Sequence, residues 1–208
     1  ENPYLGIYSK ADGIHLRVIA RAKDTATAHG MIAPVEKAIH ERLGEYVWGY
    51  DDDTPEQAAG KSLMEKGLSV AVMEMCTGGA LANSITNNPN SISYFKGGNV
   101  AYDGAALRSC GVPGEVMEKH GVVSQETANT MAETVRRNFN ADVGIAVTGV
   151  PGPGEFEGKP LGLAYICVSN GEKIREMEMR LPPRRVTIKR RVPNQALIEL
   201  RRLVEETG

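Results

Sequence analysis

Three apolar segments of strand length, separated by stretches of helical periodicity, limit the possible folds of this chain most strongly. They span 68–74, 142–148 and 160–168. Continuous apolar runs of this length are typical of strands that are buried on both faces. Asn170-Gly171 then joins the third run to an alternating segment, which predicts a hairpin. The sequence therefore predicts an α/β fold, with a mixed, mostly parallel sheet sandwiched by helices and an antiparallel edge.

A domain boundary is predicted where three aspartates stand together at 51–53. Adjacent carboxylates occur in metal sites, but ahead of a helix start they are more typical of an exposed linker. Thr54, Pro55 and Gln57 then supply a capping hydroxyl, a proline suited to the first helical position and a capping-box glutamine. We therefore predict a small α+β domain at 1–50 and an α/β domain at 54–205.

The first fifty residues have the pattern of a small β-α-β unit. Apolar and polar residues alternate over 14–21, which is the period of a strand with one buried face. Asp24 can cap the following helix, whose apolar positions fall on one side, and Gly44 is a suitable end for it. Tyr46-Val47-Trp48 is predicted to form a second short strand.

Composition restricts the class of protein. Hydrophobic residues make up 41% of the chain, charged residues 24%, and the formal net charge is −2. These values are typical of a folded domain and disfavour a general affinity for nucleic acid. No apolar run is long enough for a membrane span and the three cysteines form no CxxC pair, so we expect a cytoplasmic protein. Because the chain begins with Glu1 rather than Met, we expect it to be part of a longer protein.

Two loops follow apolar strands at the end where ligands bind in open α/β sheets. The first, Glu74–Gly79, places Thr77 and two glycines at a helix start, where free N–H groups and the helix dipole favour an anion. The second, 148–160, is too rich in glycine and proline for regular structure, as many binding loops are. The alternative for each loop is a simple connector.

Cys76 is the candidate nucleophile that the residues themselves suggest, because a helix N-terminus favours a thiolate. No histidine stands near it in sequence, and cysteine is often only a small core residue. The four histidines are not paired at the spacing of metal ligands, so no metal site is predicted. The basic run 184–191 lacks aromatic residues and is followed by glutamates, so we interpret it as a solvated helix face.

Six short motifs occur in an order that resembles the CinA carboxy-terminal domain family. They are Glu74-x-Cys76-Thr77-Gly78-Gly79, Phe95-Lys96-Gly97-Gly98 with Tyr102, Gly111-Val112-Pro113, His120-Gly121-x-Val123-Ser124, Thr148-Gly149-x-x-Gly152-Pro153-Gly154 and Lys159-Pro160-x-Gly162. The similarity extends over 54–205, and residues 1–50 resemble the small KH-like linker domain of full-length CinA proteins. That segment has no Gly-x-x-Gly clamp, so RNA binding is not implied.

The resemblance implies a nicotinamide-nucleotide amidohydrolase, which converts nicotinamide mononucleotide (NMN) and water to nicotinate mononucleotide and ammonia. In that family a serine, activated by a lysine and a tyrosine, attacks the carboxamide, and no cofactor takes part. The resemblance also implies a homodimer and, in full-length members, a molybdopterin-binding-like domain ahead of the linker. The ligand-binding residues that it implies are Glu74, Thr77, Gly78, Gly79, Gly97, Gly98, Thr148, Gly149, Gly152, Gly154 and Lys159.

The serine and lysine positions of that family are both changed in this chain. The serine position holds Met75, whose thioether has no proton to lose and is no acyl nucleophile. Tyr102 matches, but the lysine position holds Leu107 when counted from Tyr102, or Ala106 when counted back from Gly111. Since none of these apolar side chains can activate a hydroxyl, the sequence predicts a member that has lost hydrolysis and kept a nucleotide-type pocket.

Two alternatives stay open. An active amidohydrolase would need a substitute group, such as Cys76 as a thiolate, Arg108 in place of the lysine, or the hydroxyl of Ser109 or Thr148. Arg108 stays protonated and could help only electrostatically. The other alternative is a non-catalytic structural or interaction module.

Overall fold

The computed structural model describes residues 2–10 and 12–207, with only the backbone described at Glu45. The chain divides into two compact units, the first ending at Asp52 and the second beginning at Asp53. The first unit contains two antiparallel strands, β1 (Tyr4–Ser9) and β2 (Ile14–Ile19), and a helix, α1 (Thr25–Leu43). Asp24 caps α1, since its carboxylate accepts a hydrogen bond of 2.7 Å from the N–H of Thr27.

The strand predicted at Tyr46–Trp48 is wrong. Residues Gly44–Tyr46 form a short 3-10 helix at the end of α1, and the N–H of Val47 donates to the carbonyl of Gly44. The strand that pairs with β2 is β1, which lies on the other side of it in sequence. A strand forms only where a neighbour can accept its ladder of hydrogen bonds, and aromatic propensity does not identify that neighbour.

The second unit is the α/β unit. Its elements are α2 (Pro55–Lys66), β3 (Val70–Glu74), α3 (Ala80–Thr86), β4 (Phe95–Val100), α4 (Gly104–Ser109), α5 (Gly114–His120), α6 (Gln125–Asn138), β5 (Val143–Gly149), β6 (Leu163–Ser169), β7 (Ile174–Arg180) and α7 (Arg185–Glu205). The predicted capping box is confirmed, because Thr54 and Gln57 each bond the other's N–H ahead of α2. Helix α4, which starts at the Asp103 cap, was not predicted.

The strand order of the sheet is β4-β3-β5-β6-β7. Strand β3 runs parallel to β4 and β5, whereas β6 is antiparallel to both β5 and β7. The mixed sheet and the antiparallel edge hairpin are thus confirmed. Strands β3, β4, β5 and β7 run in one direction and only β6 of the described strands opposes them, so the prediction of a mixed, mostly parallel sheet is confirmed. The parallel strands β3, β4 and β5 end together at one edge of the sheet, which we call the carboxyl edge.

Helices cover both faces of the sheet. On one face α2, α3 and α7 pack against side chains such as Val72 and Ile145. On the other face α4, α5 and α6 pack against side chains such as Met73 and Ala146. Adjacent residues of β3 therefore point into different cores, because side chains alternate along a strand. This alternation sends Glu74 and Met75, the last residue of β3 and the one after it, in different directions.

Candidate functional site

Both loops selected from the sequence begin at the carboxyl edge. Met75 and Ala101 follow β3 and β4 directly, and both remain in the hydrogen-bond ladder. The N–H of Met75 donates to the carbonyl of Val147, and the N–H of Ala101 donates to that of Glu74, each at 2.9 Å. Positions 75 and 101 are therefore held at a fixed place relative to the sheet, as a site on rigid elements requires.

Glu74 occupies the start of α3 with its own carboxylate. The side chain is fully buried and its oxygens accept from Thr77 Oγ1 at 2.6 Å and from the N–H groups of Gly79, Leu81 and Ala82 at 3.1, 3.0 and 2.7 Å. An anion at this helix start is favourable, as the sequence predicted, because the free N–H groups and the dipole attract negative charge. The chain supplies that anion internally, so these N–H groups already have a partner.

Met75 and Leu107 lie in one buried apolar cluster. Their exposed fractions are 6% and 0%, and both belong to the core between the sheet and helices α4, α5 and α6. Ala106, the alternative lysine position, packs against the same cluster. The two positions that would carry the serine and the lysine thus contribute to apolar packing.

The hydroxyl of Thr148 lies beside the Met75 sulfur. Its Oγ1 donates to the carbonyl of Val122 at 2.9 Å and stands 3.1 Å from Met75 Sδ, and the side chain is fully buried. The proton of this hydroxyl is therefore held by a backbone acceptor, and the described contacts of the side chain include no group able to remove it.

The other possible substitutes are not arranged for catalysis. Burial, the largest cause, and the nearby Glu74 carboxylate together raise the pKa of the Cys76 thiol to about 12. The thiol is therefore protonated at neutral pH and is a poor nucleophile. Ser109 is exposed and donates to the carbonyl of Ala105, whereas Arg108 lies 3.9 Å from the Glu118 carboxylate.

A cationic cluster at the start of α7 lies over the two glycine loops. Arg185 donates to Tyr102 Oη at 3.0 Å and to the carbonyl of Gly152 at 2.7 Å. A Cβ added at Gly78 would lie 3.7 Å from Lys189 Nζ and 3.9 Å from Tyr102 Cε2. These five residues, here called the α7 cluster, bring together parts of both loops that are far apart in sequence.

Lys159 anchors the second loop. Its Nζ donates to the carbonyls of Val123 and His120, and it stands 5.9 Å from the centre of the Tyr165 ring. Glu157, which has a φ of 51°, accepts from the N–H groups of Val122 and Val123 at 3.0 and 3.2 Å. The two charged side chains fasten this loop to the turn that precedes α6, and the same turn provides the carbonyl that Thr148 contacts.

The remaining predicted ligand-binding glycines lie in several environments. Gly97 and Gly98 are inside β4. A Cβ at Gly97 would meet the Phe139 ring at 2.7 Å, and a Cβ at Gly98 would meet the carbonyl of Val72. A Cβ at Gly149 would meet the carbonyl of Leu163 on the adjacent strand at 2.7 Å. In these strands glycine permits close packing. Gly154 is exposed with open space around it.

Sequence reasoning did not select Arg185 and Lys189, which the structure places beside Tyr102 and Gly78. The basic run was interpreted as a solvated face, and both side chains are indeed exposed. Their spacing of four residues puts them on one side of a helix and was the available signal. The missing information was the position of α7 over the carboxyl edge, which no local pattern provides.

The part of the chain that the structure describes contains neither a cluster of metal ligands nor a membrane-spanning helix. Within 2–10 and 12–207 there is no group of three or more His, Cys, Asp or Glu side chains that could hold a metal ion. Across the same ranges, none of the helices combines the length and the apolar character needed to cross a membrane.

Comparison with known proteins gives matches to both units. The family model described as CinA C-terminal domain matches residues 52–204, and the one described as damage-inducible protein CinA KH domain matches residues 1–49. Relatives named as competence-damage inducible proteins include one from Moorella thermoacetica, 44% identical over 81% of this chain and 41% of its own. Another, from Desulforudis audaxviator, is 39% identical over 94% of this chain and 48% of its own. The chain thus spans about half the length of these curated relatives.

Solved structures confirm the fold of the larger part of the chain. Competence/damage inducible protein CihA from Agrobacterium tumefaciens is 29% identical, with a TM-score of 0.67 over 76% of this chain and 99% of that one. A protein of the competence-damaged protein (CinA) superfamily from Enterobacter cloacae is 26% identical, with a TM-score of 0.68 over 76% and 96% of the two chains. These matches agree with the resemblance that the motifs indicate.

Proposed function

The chain belongs to the CinA family, and from that premise we propose that its α/β unit binds a pyridine nucleotide such as NMN without hydrolysing it. The proposal has two parts, the loss of the amidohydrolase chemistry and the retention of a ligand site. They depend on different residues and can be tested separately.

The observation that carries the first part is the shared apolar environment of Met75 and Leu107. An amidohydrolase of this kind needs a nucleophile and a group that takes its proton. Removing a nucleophile typically costs several orders of magnitude in rate, and removing its partner adds little more. Here both positions are buried among apolar side chains, and a thioether cannot attack a carboxamide.

The second part is supported by the side chains that remain at the carboxyl edge. Tyr102 is 51% exposed and is oriented by Arg185, and the backbone of Gly78 is within reach of Lys189. Ligands in open α/β sheets bind at this edge. Polar and cationic groups exposed there suit an anionic nucleotide, whereas a purely structural unit does not require them.

Ammonia release tests the loss of hydrolysis. We expect purified protein incubated with NMN to release no more ammonia than protein-free buffer. Steady release that Cys76→Ala, Thr148→Val or Ser109→Ala abolishes, and that the exposed control Ser93→Ala preserves, would instead identify an active amidohydrolase with a substitute nucleophile.

Thermal unfolding tests the retention of binding. A ligand that binds only the folded state raises the melting temperature, by an amount equivalent to about 2.7 kcal/mol at a concentration of one hundred times Kd. We expect NMN to raise the melting temperature of the protein. No shift at millimolar NMN would favour a structural or interaction module.

The family resemblance also supports a cytoplasmic homodimer as part of this proposal. Sedimentation equilibrium of the chain, with and without NMN, would measure its oligomeric state. A monomer under both conditions would contradict the dimer without affecting either part of the binding proposal.

A further inference from the structure

The arginines of the α/β unit fall into two groups according to their ion pairs. Seven of them have a carboxylate within 4.0 Å; they are Arg108, Arg136, Arg137, Arg175, Arg180, Arg201 and Arg202. The other four, Arg184, Arg185, Arg190 and Arg191, make no ion pair with any described residue, and neither does Lys189. The described arginines of this unit that have no carboxylate partner therefore all lie in the single segment 184–191.

The positive side chains of this segment lie at a helix N-terminus, where they destabilise the helix as long as no anion is bound. Helix α7 begins at Arg185, its first turn holds no acidic residue, and its N-cap residue Arg184 makes no side-chain capping bond. Positive side chains at a helix N-terminus add to the positive end of the helix dipole. A solvated face elsewhere on the helix would avoid this cost, so the location calls for an explanation beyond solubility.

Two of these cations converge on the candidate site. Arg185 is fixed by its bonds to Tyr102 and Gly152, and the guanidinium carries five N–H donors, of which these bonds use two. Lys189 follows one helical turn later, and its Nζ lies 3.7 Å from the place that a Cβ at Gly78 would take. A planar fork of donors next to a mobile ammonium is a combination that matches a phosphate group.

We propose that Arg185 and Lys189 bind the phosphate monoester of a mononucleotide at the carboxyl edge. This inference rests on the proposed function and assigns the phosphate to the α7 cluster. The start of α3 is not available for that role, because Glu74 already accepts from its N–H groups. The ligand class that results is a nucleotide with a terminal phosphate, rather than a nucleoside or a free base.

A nucleic acid would present the same phosphate chemistry, but the observations favour the small ligand. The donors of Arg185 are turned toward Tyr102 and the Gly152 backbone, and the segment 184–191 contains no aromatic residue on which bases could stack. The protein as a whole has a formal net charge of −2. Binding to an oligonucleotide is therefore an outcome that the experiment must be able to detect.

Calorimetric titration of the full chain with NMN and with nicotinamide riboside, which lacks the phosphate, tests the assignment. We expect Arg185→Gln and Lys189→Gln each to weaken NMN binding about tenfold to a hundredfold, since each removes a charge-assisted bond to phosphate. We expect the riboside affinity to stay the same in Lys189→Gln, and in Arg185→Gln to fall less than the NMN affinity, because that variant also loses the bond to Tyr102. Arg190→Gln is the matched control, because it removes the same charge from an exposed neighbour, and it should change the NMN affinity less than twofold.

The possible results separate this inference from the function it rests on. If the wild-type protein binds neither NMN nor the riboside, the proposed function itself fails. If NMN binds but the two variants match Arg190→Gln, the site exists and the phosphate assignment is wrong. If a single-stranded oligonucleotide binds more tightly than NMN and all three glutamine variants weaken it equally, the segment is a nucleic-acid surface and the assignment is again wrong.

Discussion

The helices α3 and α7 both begin at the carboxyl edge, but the side chains at their N-termini have opposite charges. At α3 a buried carboxylate, Glu74, accepts from three N–H groups of the helix start and from the Thr77 hydroxyl. At α7 the N-cap residue is Arg184, no side chain caps the helix, and the side chains of Arg185 and Lys189 are exposed.

The start of α3 is stabilised by a side chain of the protein itself, whereas the start of α7 has no side-chain cap and is the place where we propose that a ligand binds. Glycines at a helix start are usually taken as a sign of anion binding, and that interpretation suited Gly78 and Gly79 in the sequence. The anion at α3 proves to be part of the protein. The helix start that has no negative side chain is that of α7, although no glycine stands at its N-terminus.

The largest effect is expected from removing the internal anion at α3. Glu74→Gln should lower the free energy of unfolding by about 2–3 kcal/mol, because one carboxylate oxygen is replaced by an NH₂ group that faces N–H donors. Urea denaturation followed by circular dichroism measures this, with the exposed Glu155→Gln as the control. A loss no greater than that of the control would show that Glu74 does not stabilise the helix start.

A carboxylate placed at α7 should make its N-terminus resemble that of α3. Arg184→Asp puts a good capping residue where the backbone is already extended, so we expect a gain of about 1 kcal/mol in the free energy of unfolding. The same change should weaken NMN binding severalfold, since the new carboxylate competes with the phosphate for Arg185 and Lys189. Arg184→Gln serves as the comparison that removes the charge alone. A stabilised variant with unchanged NMN affinity would contradict the link between the uncapped helix and the ligand.

The smallest effect concerns arginines that already have partners. A hydrogen bond from Arg136, the largest cause, and another from Arg137 lower the pKa of Glu133 from 4.5 to about 2. A lowered pKa contributes stability that is present above the unfolded value and is lost as the pH falls through the folded value. The melting temperature of wild type should therefore exceed that of Glu133→Gln above pH 4.5, and the gap should close as the pH falls toward 2. At neutral pH we expect Glu133→Gln to lower the free energy of unfolding by about 1 kcal/mol or less.

Glu172→Gln is the control for this pH dependence, because Glu172 is exposed and has no cationic partner among the described residues. Its melting temperature should follow that of the wild type throughout. A gap between wild type and Glu133→Gln that stays constant from pH 7 to pH 2 would contradict the lowered pKa.

Local signals predicted much of the α/β unit. The apolar runs gave β3, β5 and β6, Asn170-Gly171 gave the hairpin, and the capping pattern at Thr54 gave the start of α2. These features depend on residues that are close in sequence, so periodicity and turn chemistry suffice. The pairing of β1 with β2 was missed because strand partners are decided by long-range contacts that propensity does not report.

The candidate site was predicted less completely. The change at Met75 was readable from the motif, and so was the absence of lysine near Leu107. What the sequence could not indicate is that both side chains enter the same apolar cluster, or that Thr148 lies beside the Met75 sulfur. These contacts join positions on different strands and helices, and only the packing of α4, α5 and α6 on the sheet brings them together.

By itself the sequence determined the layered α/β fold, its family and the apolar residues Met75 and Leu107 at the positions where a nucleophile and its lysine were sought, because each depends on side-chain chemistry and short-range spacing. The tertiary structure alone decided that Glu74 satisfies the start of α3 and that Arg185 and Lys189 reach the glycine loops. The physical reason is that the electrostatic role of a charged side chain depends on which donors and acceptors surround it. In this protein, the packing of α7 over the carboxyl edge places its cations beside residues more than eighty positions away in the chain.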